Sequence, residues 1–534
     1  MATSKSMVRD LTPYLLYLLL TATIGPLLFG YHLSELNAPQ EVITCARQDS
    51  ASYTSRLRAS LKQHAGYGAE TTAGPALPQC IPMDATQFGL VSSFFTLGGL
   101  IGALSGGPVT TKYGRLKAMI TAAAFAAVGP VFEALATNVA LFTVGRFIAG
   151  VGAGAATVIV PIYISEIAPP GQKGAWGSLT QVMINVGILT TQLLGLFLSR
   201  GQLWRIILGV GGAIAVLQAV LLLLGGQESP KWMADHGKPS QAKKILLSIR
   251  GHQANVEEEV TGWGVESSRD LDDEEQTLLQ NEDRMHEHPG EGAEYEGAPE
   301  VGSSNRKHNA TRKAEQTSKA MGFLAVLKNS DYRPAVIAVV AVMVAQQLCG
   351  INSIVMYGVG LLSDLLGANS GILNLAVSAL NLIVTSASAP LVDRAGRKTC
   401  LLMSITGMGI MSVLLAIGIM RHIPILSAIS VLGFVASFGL GLGPVPFILS
   451  SELVGAEAVG ATQSWALAAN WIATFVVAQF FPLINEKMPK GTVYFVFAGF
   501  ALVFGGFVAW WVPETKGKSD VDEVWGRKKG DRED

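Results

Sequence analysis

Charged residues are scarce in this chain: Asp, Glu, Lys and Arg make up only 15% of its 534 residues. A soluble globular protein has about 25% charged residues, so this chain lacks the polar side chains that would cover a water-facing surface. Hydrophobic residues reach 49%, and the mean hydropathy is +0.39. The net charge of −1 excludes a nucleic-acid-binding protein built on a basic face. The composition therefore favours one large unit embedded in a membrane.

Cysteine is rare as well, with four residues at positions 45, 80, 349 and 400. They are too few for a disulfide scaffold, and the eight histidines show no zinc-ligand pattern. The chain has no G-x-x-x-x-G-K-[ST] loop and no Gly-x-Ser-x-Gly or His-Glu-x-x-His element, so ATP-driven pumping and hydrolysis have no support. We expect no enzymatic activity, no metal and no cofactor.

Long apolar runs dominate what the sequence does contain. A membrane-spanning helix needs about 20 mostly apolar residues, and such runs are frequent here. We predict an all-α membrane protein with twelve transmembrane helices, called spans one to twelve, at 11–36, 86–110, 117–137, 139–165, 174–199, 204–226, 332–362, 368–392, 399–420, 423–450, 460–484 and 490–512. The first run has no small-residue cleavage site, so it is predicted to be a retained span rather than a signal peptide.

Basic residues mark one side of this predicted protein. They cluster at 112–117, between spans two and three, and at 394–398, between spans eight and nine. Short loops rich in Lys and Arg face the cytoplasm, so both termini are predicted to be cytoplasmic. Cys45 and Cys80 then share the luminal or extracellular loop 37–85, where a disulfide and two free thiols are both compatible with the sequence.

One long polar segment, 227–331, separates spans six and seven. Between 256 and 300 it has 16 acidic residues against two arginines, and it then becomes basic. Such charge blocks are typical of a solvated, disordered linker. The first part, 230–249, has the apolar spacing of a short amphipathic helix at the membrane surface.

The two apolar halves repeat each other at a nearly fixed distance. Matching motifs lie 282 positions apart for Arg115 and Arg397, and 286 apart for Glu166 with Glu452 and for Glu228 with Glu514. Three such matches indicate a duplication, the parallel repeat of many secondary transporters. We predict an N-terminal six-helix half at 1–226, the linker 227–331, a C-terminal six-helix half at 332–512 and a cytoplasmic tail at 513–534.

These motifs make the chain recognisable. It resembles the sugar porters of the major facilitator superfamily over nearly its whole length. The segments that carry the resemblance are Gly145-Arg146-Phe147, 227–231, 346–352, 393–397 and 513–517. Phe29-Gly30-Tyr31, followed by Asn37-Ala38-Pro39-Gln40, is most similar to the facilitative glucose transporter branch, and the first half is also similar to fungal vacuolar-type members.

Amide side chains inside apolar spans point to a sugar site, because each amide offers two donors and an acceptor without a charge to desolvate. The resemblance implies sugar contacts at Gln181, Gln346, Gln347, Asn352, Asn381 and Asn470. Phe447 and Trp471 are candidates for stacking on the C–H faces of the sugar. Asn185 departs from the family, in which an aliphatic residue is usual at that position.

The family also closes one face with ion pairs between loop arginines and helix-end glutamates. The resemblance implies such a network for Arg115, Arg146, Glu166, Glu228, Arg394, Arg397 and Glu452. Arg146 is also predicted to be the counter-charge of Glu35 or Glu166, because charges within a membrane normally pair. Pro444 and Pro446 predict a hinge in span ten.

Proton coupling is a separate hypothesis. Proton-linked members usually have aspartate directly after Phe-Gly-Tyr, where this chain has His32, with Glu35 on nearly the same helix face. An unperturbed histidine changes charge near pH 6.5, between cytosolic and acidic luminal pH. A simple polar contact between His32 and Glu35 is the alternative.

The predicted function is alternating-access transport of a monosaccharide, with a hexose such as glucose as the favoured substrate. The carrier is predicted to be either a uniporter or a proton symporter. The alternatives are a carrier of polyols or another small solute, and a sugar sensor that does not transport.

An acidic dileucine pattern lies in the acidic linker, formed by Glu274 followed by Leu278 and Leu279. Sorting adaptors bind such peptides in extended form. We therefore expect an adaptor as a partner, and a vacuolar, lysosomal or other endomembrane location in preference to the plasma membrane.

Overall fold

The computed structural model describes residues 12–46, 77–169, 172–251, 256, 259–260, 322–366, 369–455, 457–518 and 521–526. Twelve of its helices are long and apolar enough to cross a membrane. The spans of the first half are Pro13–Ser34, Ala85–Tyr113, Arg115–Ala134, Val139–Ile167, Lys173–Leu198 and Trp204–Gly225. Those of the second half are Arg333–Leu348 with Ile351–Leu366, Asn369–Ala395, Arg397–Met420, Pro424–Leu440 with Val445–Glu452, Val459–Lys487 and Val493–Trp511. The predicted twelve-span organisation is confirmed, with ends that shift by a few residues.

Local sequence signals start several of these helices. Thr12 caps span one by accepting a hydrogen bond from the backbone N–H of Leu15 at 3.1 Å. Span two begins with a reciprocal capping box between Asp84 and Gln87. Asn138 caps span four by accepting from the N–H of Leu141 at 2.9 Å. Each cap satisfies a backbone donor that the helix itself leaves unpaired.

Two spans of the second half, spans seven and ten, are each interrupted by a short non-helical break. Span seven breaks at Gly350, which has φ +99° and packs so tightly on Phe497 that a Cβ atom would approach its ring to 2.5 Å. Span ten breaks between Leu440 and Val445, and its break ends at Pro444. The predicted hinge therefore coincides with a real interruption of the helix.

Small residues let spans two and four approach each other closely. A Cβ atom at Gly98 would lie 2.1 Å from the carbonyl oxygen of Phe147, and one at Gly150 would lie 2.1 Å from that of Phe95. Glycines of span four therefore serve close helix packing.

Short helices border the membrane spans at Gln40–Ile43, Pro230–Asp235, Pro239–Arg250, Ala325–Lys328 and Val521–Trp525. The amphipathic helix predicted at 230–249 is therefore present, as two pieces. Arg250 fixes the second piece to the end of span four by donating to the carbonyls of Ile167 at 2.6 Å and Ala168 at 3.0 Å. The dileucine residues Glu274, Leu278 and Leu279 lie outside the described residues.

The two faces of the bundle differ. We call the face with the turns at Gly114 and Gly396 the basic-loop face. The opposite face, called the disulfide face, carries the bond between Cys45 and Cys80, which settles the open question of their pairing. Arg205 holds this region together by donating to the carbonyl of Pro78 at 2.9 Å and to that of Ala136 at 2.8 Å.

Candidate substrate site and ion-pair networks

Four of the predicted sugar-contacting amides form one hydrogen-bonded chain in the second half. Asn352 donates to Gln347 at 2.5 Å, and Gln347 donates to Gln346 at 3.2 Å. Asn470 of span eleven donates to the same Gln346 oxygen at 2.6 Å. Gln346 in turn donates to the carbonyl of Leu442 at 2.6 Å, a group that the break in span ten leaves free. The break of one helix thus orients the amides of two others.

Trp471, next to Asn470, extends this cluster towards the first half. Its ring meets those of Phe29 and Phe95 edge to face, at centroid distances of 5.4 and 6.4 Å. It also lies against Gly99, where a Cβ atom would come within 2.2 Å of the indole. Phe447, the other aromatic candidate, is 43% exposed on the short helix that follows the break in span ten.

Further amides pair across the two halves. Asn381 of span eight donates to Asn185 of span five at 3.3 Å, and Gln181 donates to the same oxygen at 3.5 Å. Nearer the disulfide face, Asn374 donates to Gln192 at 2.8 Å. Sequence reasoning missed Asn374, although its amide within an apolar span is the same signal that selected Asn381.

Contacts between the halves concentrate towards the disulfide face. Asn37, just after span one, donates to the carbonyl of Val355 at 2.8 Å and accepts from the N–H of Val359 at 2.9 Å. Ser93 of span two donates to Gln479 of span eleven at 2.8 Å. Together with the pair formed by Gln192 and Asn374, these bonds close the bundle at that face.

On the basic-loop face, the first half has its own ion-pair network. Arg115 forms a bidentate pair with Glu166, with Nε to Oε2 at 2.8 Å and Nη2 to Oε1 at 2.6 Å. The backbone N–H groups of Arg115 and Leu116 donate to Glu228 at 2.7 and 3.1 Å. The carboxylate of Glu228 thereby caps the start of span three, where negative charge is favourable.

The second half repeats this network. Arg397 donates through Nη2 to Glu452 at 2.9 Å, and its backbone N–H donates to Glu514 at 2.8 Å. Thr515 also donates to Glu452. Glu514 was recognised in the sequence as part of the repeat but not as a site residue, and its equivalence to Glu228 was the available signal. The side chain of Arg394 is exposed, and it is the backbone carbonyl of Arg394 that accepts from Lys516.

The structure corrects the placement of Arg146 in the basic-loop network. Arg146 lies near the start of span four, about 30 Å along the helix from Glu166 at a rise of 1.5 Å per residue. It pairs instead with Glu35 and donates to the carbonyl of His32 at 2.9 Å. Its guanidinium also lies 4.5 Å from the centre of the Phe95 ring.

A buried charged cluster surrounds this pair. His32 Nδ1 lies 3.0 Å from Glu35, and both side chains are fully buried. Glu133 of span three, which sequence reasoning missed, is also fully buried and interacts electrostatically with Glu35, Arg146 and His32. Within the described residues, His32 Nε2, Arg146 Nε and both carboxylate oxygens of Glu133 have no hydrogen-bond partner. The sequence signal for Glu133 was a carboxylate at the end of an apolar run.

Comparison with known proteins identifies the family. The model of the family described as "Sugar (and other) transporter" matches residues 18–288 and 291–525. The chain belongs to this family.

Relatives of this sugar transporter span almost its full length. A probable metabolite transport protein of Saccharomyces cerevisiae is 33% identical, over 96% of each chain. Vacuolar protein sorting-associated protein 73 of the same yeast is 29% identical, over 95% of each chain. The pig facilitated glucose transporter member 2 is 29% identical, over 95% of this chain and 93% of the relative.

The fold of the sugar transporter also matches solved structures of the major facilitator superfamily. The xylose transporter XylE from E. coli, in a partially occluded inward-open conformation, has a TM-score of 0.68 at 22% identity, and the match covers 95% of this chain and 100% of the other. This agrees with two six-helix halves. Family membership makes the protein a sugar carrier of the membrane rather than an enzyme.

Proposed function

We propose that this carrier transports a monosaccharide, with a hexose such as glucose as the favoured substrate. The main support is the amide chain formed by Gln346, Gln347, Asn352 and Asn470. The first half contributes Gln181, which donates to Asn185 as Asn381 of the second half does. Neutral donors and acceptors supplied by both halves suit a ring of hydroxyl groups. Trp471 offers a face on which the C–H groups of the sugar can stack.

Transport would proceed by rocking of the two halves around this site. In the present conformation the hydrogen bonds of Asn37, Ser93 and Gln192 join the halves at the disulfide face. Opening that face requires these bonds to break. The ion pairs described on the basic-loop face lie within single halves, so we propose that they keep each half rigid in this conformation.

The direct test is uptake of labelled D-glucose and D-xylose into proteoliposomes, with L-glucose as the control for leakage. We expect saturable uptake of a D-sugar that exceeds L-glucose uptake. Uptake of a linear polyol in its place would favour the alternative solute carrier, and binding without any uptake would favour the sensor. Either result contradicts monosaccharide transport.

We further propose that protons accompany the sugar through the buried charged cluster. Glu35 and Glu133 supply two carboxylates against the single guanidinium of Arg146, and all three side chains are fully buried. An excess buried charge is costly, so uptake of one proton by Glu35, Glu133 or His32 would neutralise the cluster. The Phe95 ring lies against both Arg146 and Trp471 and would link this charge to the sugar site.

We propose an endomembrane location, with the vacuole or lysosome favoured. The relative named for vacuolar protein sorting supports this, as does the pattern Glu274, Leu278 and Leu279 as a signal for a sorting adaptor. Replacing Leu278 and Leu279 together by alanine in a fluorescently tagged chain should move it to another membrane. A matched control replaces Val265 and Leu271 in the same acidic stretch. Unchanged localisation of the first variant contradicts the signal.

The proposed orientation places the basic-loop face and both termini in the cytoplasm, as the positive-inside rule predicts. A C-terminal epitope should then be detected by antibody only where the cytoplasm is accessible. Detection from the luminal side would reverse the orientation.

A further inference from the structure

Asn185 is a buried amide that is flanked by apolar residues of span five. Its side chain is 2% exposed, in the middle of span five. Its Oδ1 accepts hydrogen bonds from Gln181 at 3.5 Å and from Asn381 at 3.3 Å. Asn185 therefore connects two proposed sugar contacts, one from each half of the protein.

These two donors fix the orientation of the Asn185 amide. Because the oxygen faces Gln181 and Asn381, the Nδ2 group carries its hydrogens away from them. Within the described part of the chain, Asn185 Nδ2 is buried and has no hydrogen-bond partner. An unpaired buried N–H is unfavourable, and native proteins rarely keep one without a role. A hydroxyl oxygen of a bound sugar would satisfy it.

The position of Asn185 on its helix agrees with such a role. Gln181, Asn185, Ile188 and Gln192 follow one another at intervals of four, three and four residues, so they share one face of span five. Ile188 and Gln192 line a small cavity together with residues of span eight that include Asn381. The helix face of Asn185 therefore borders the space between the two halves.

We infer that Asn185 determines substrate specificity, by donating a hydrogen bond from Nδ2 to one hydroxyl oxygen of the monosaccharide. This inference rests on the proposed function. It has a specific consequence: a sugar that lacks this one hydroxyl should bind less well, and an apolar residue at position 185 should remove that preference without affecting the others.

Competition experiments in proteoliposomes can test this with D-glucose and its monodeoxy analogues. In the wild type, one analogue should inhibit labelled D-glucose uptake about three- to tenfold less well because of the lost Asn185 bond, the range expected for one neutral hydrogen bond. Asn185→Leu is nearly isosteric, and in this variant the inhibition by that analogue should be less than about twofold weaker than that by D-glucose. The weaker inhibition by analogues that lack a different hydroxyl should persist. Asn185→Asp keeps an acceptor for Asn381 but loses the N–H, so it should behave like Asn185→Leu.

Gln218→Leu is the matched control, since Gln218 is a buried amide of span six that bonds to backbone carbonyls within the first half. In Gln218→Leu, each monodeoxy analogue should inhibit D-glucose uptake as weakly, relative to D-glucose itself, as it does in the wild type. If each analogue loses the same amount of inhibition in the wild type and in both Asn185 variants, the role of Asn185 is overturned and the proposed function is unaffected. A uniform loss of affinity at all positions would make Asn185 a structural residue and also overturn it. Failure of the wild type to transport D-glucose or D-xylose would contradict the proposed function and this inference together.

Discussion

Gly114 lies directly against the carboxylate of Glu228, so that a Cβ atom at Gly114 would come within 2.3 Å of Oε2. Gly396 has the same relationship to Glu514, with a distance of 2.5 Å. The two glycines have φ angles of +93° and +94°, a region that L side chains rarely adopt. The duplication has thus preserved a turn, its glycine and its capping carboxylate in both halves.

Gly114→Ala should destabilise the protein by about 1–3 kcal/mol, because it combines an unfavourable φ with a clash against Glu228. Gly396→Ala should behave alike. Gly107→Ala in span two is the matched control, since nothing lies within 4 Å of its Cβ position. The midpoint of thermal unfolding in detergent is the measurement. Equal midpoints for Gly114→Ala and Gly107→Ala would contradict the proposed strain.

Removal of an amide from the second-half chain should weaken sugar binding while the fold persists. Gln347→Ala leaves Asn352 without its acceptor and leaves sugar hydroxyls unpaired. We expect about 1–3 kcal/mol of lost affinity for this variant and for Asn352→Ala, measured as the Kd of a transported sugar. The control is Gln218→Ala, whose Kd should equal that of the wild type. Unchanged affinity in both site variants would remove the proposed site.

The charge of the buried cluster should couple sugar transport to protons. In proteoliposomes, we expect an imposed pH gradient to accelerate sugar uptake by the wild type. Glu133→Gln should abolish this acceleration and retain sugar exchange at equal pH, because it removes one of the two carboxylates that compete for Arg146. If neither the wild type nor the variant responds to the gradient, the carrier is a uniporter.

The same assay can distinguish a role of His32 in proton coupling from a role of Glu35 or Glu133. His32→Asn keeps a polar side chain beside Glu35 but cannot change its charge. If histidine carries the proton, transport by this variant should lose the pH dependence that the wild type shows. A full pH dependence in His32→Asn would assign the proton to Glu35 or Glu133.

The Cys45–Cys80 disulfide should stabilise the disulfide face. It closes a loop across a sequence separation of 35 residues, and a loop of that length is worth about 3–4 kcal/mol in the chain-entropy model. Replacing both cysteines by serine should lower the thermal midpoint, and a reductant should lower that of the wild type to the same value. A reductant effect of equal size on the double variant would show that another group is responsible.

The twelve spans, the duplication and most of the candidate site residues could be predicted from the amino-acid sequence alone. Span length, apolar runs and basic loops are local properties, so the helices follow from them directly. The repeat makes Arg397 the equivalent of Arg115, and Glu452 the equivalent of Glu166. The amides of spans five, seven, eight and eleven could be selected because a polar group in an apolar run is conspicuous.

Which of these residues contact each other depends on how the helices pack in three dimensions. Arg146 could have paired with Glu35 or with Glu166, and the distance along span four assigns it to Glu35. Glu133 joins that cluster from span three, and Asn185 meets Asn381 across the two halves. Glu35 lies 98 positions from Glu133 and 111 from Arg146, and Asn185 lies 196 positions from Asn381, so no local pattern connects them. Their contacts depend on how closely the helices pack and on how far each helix is shifted along its axis relative to its neighbours. Small residues such as Gly98 and Gly150 allow this close packing.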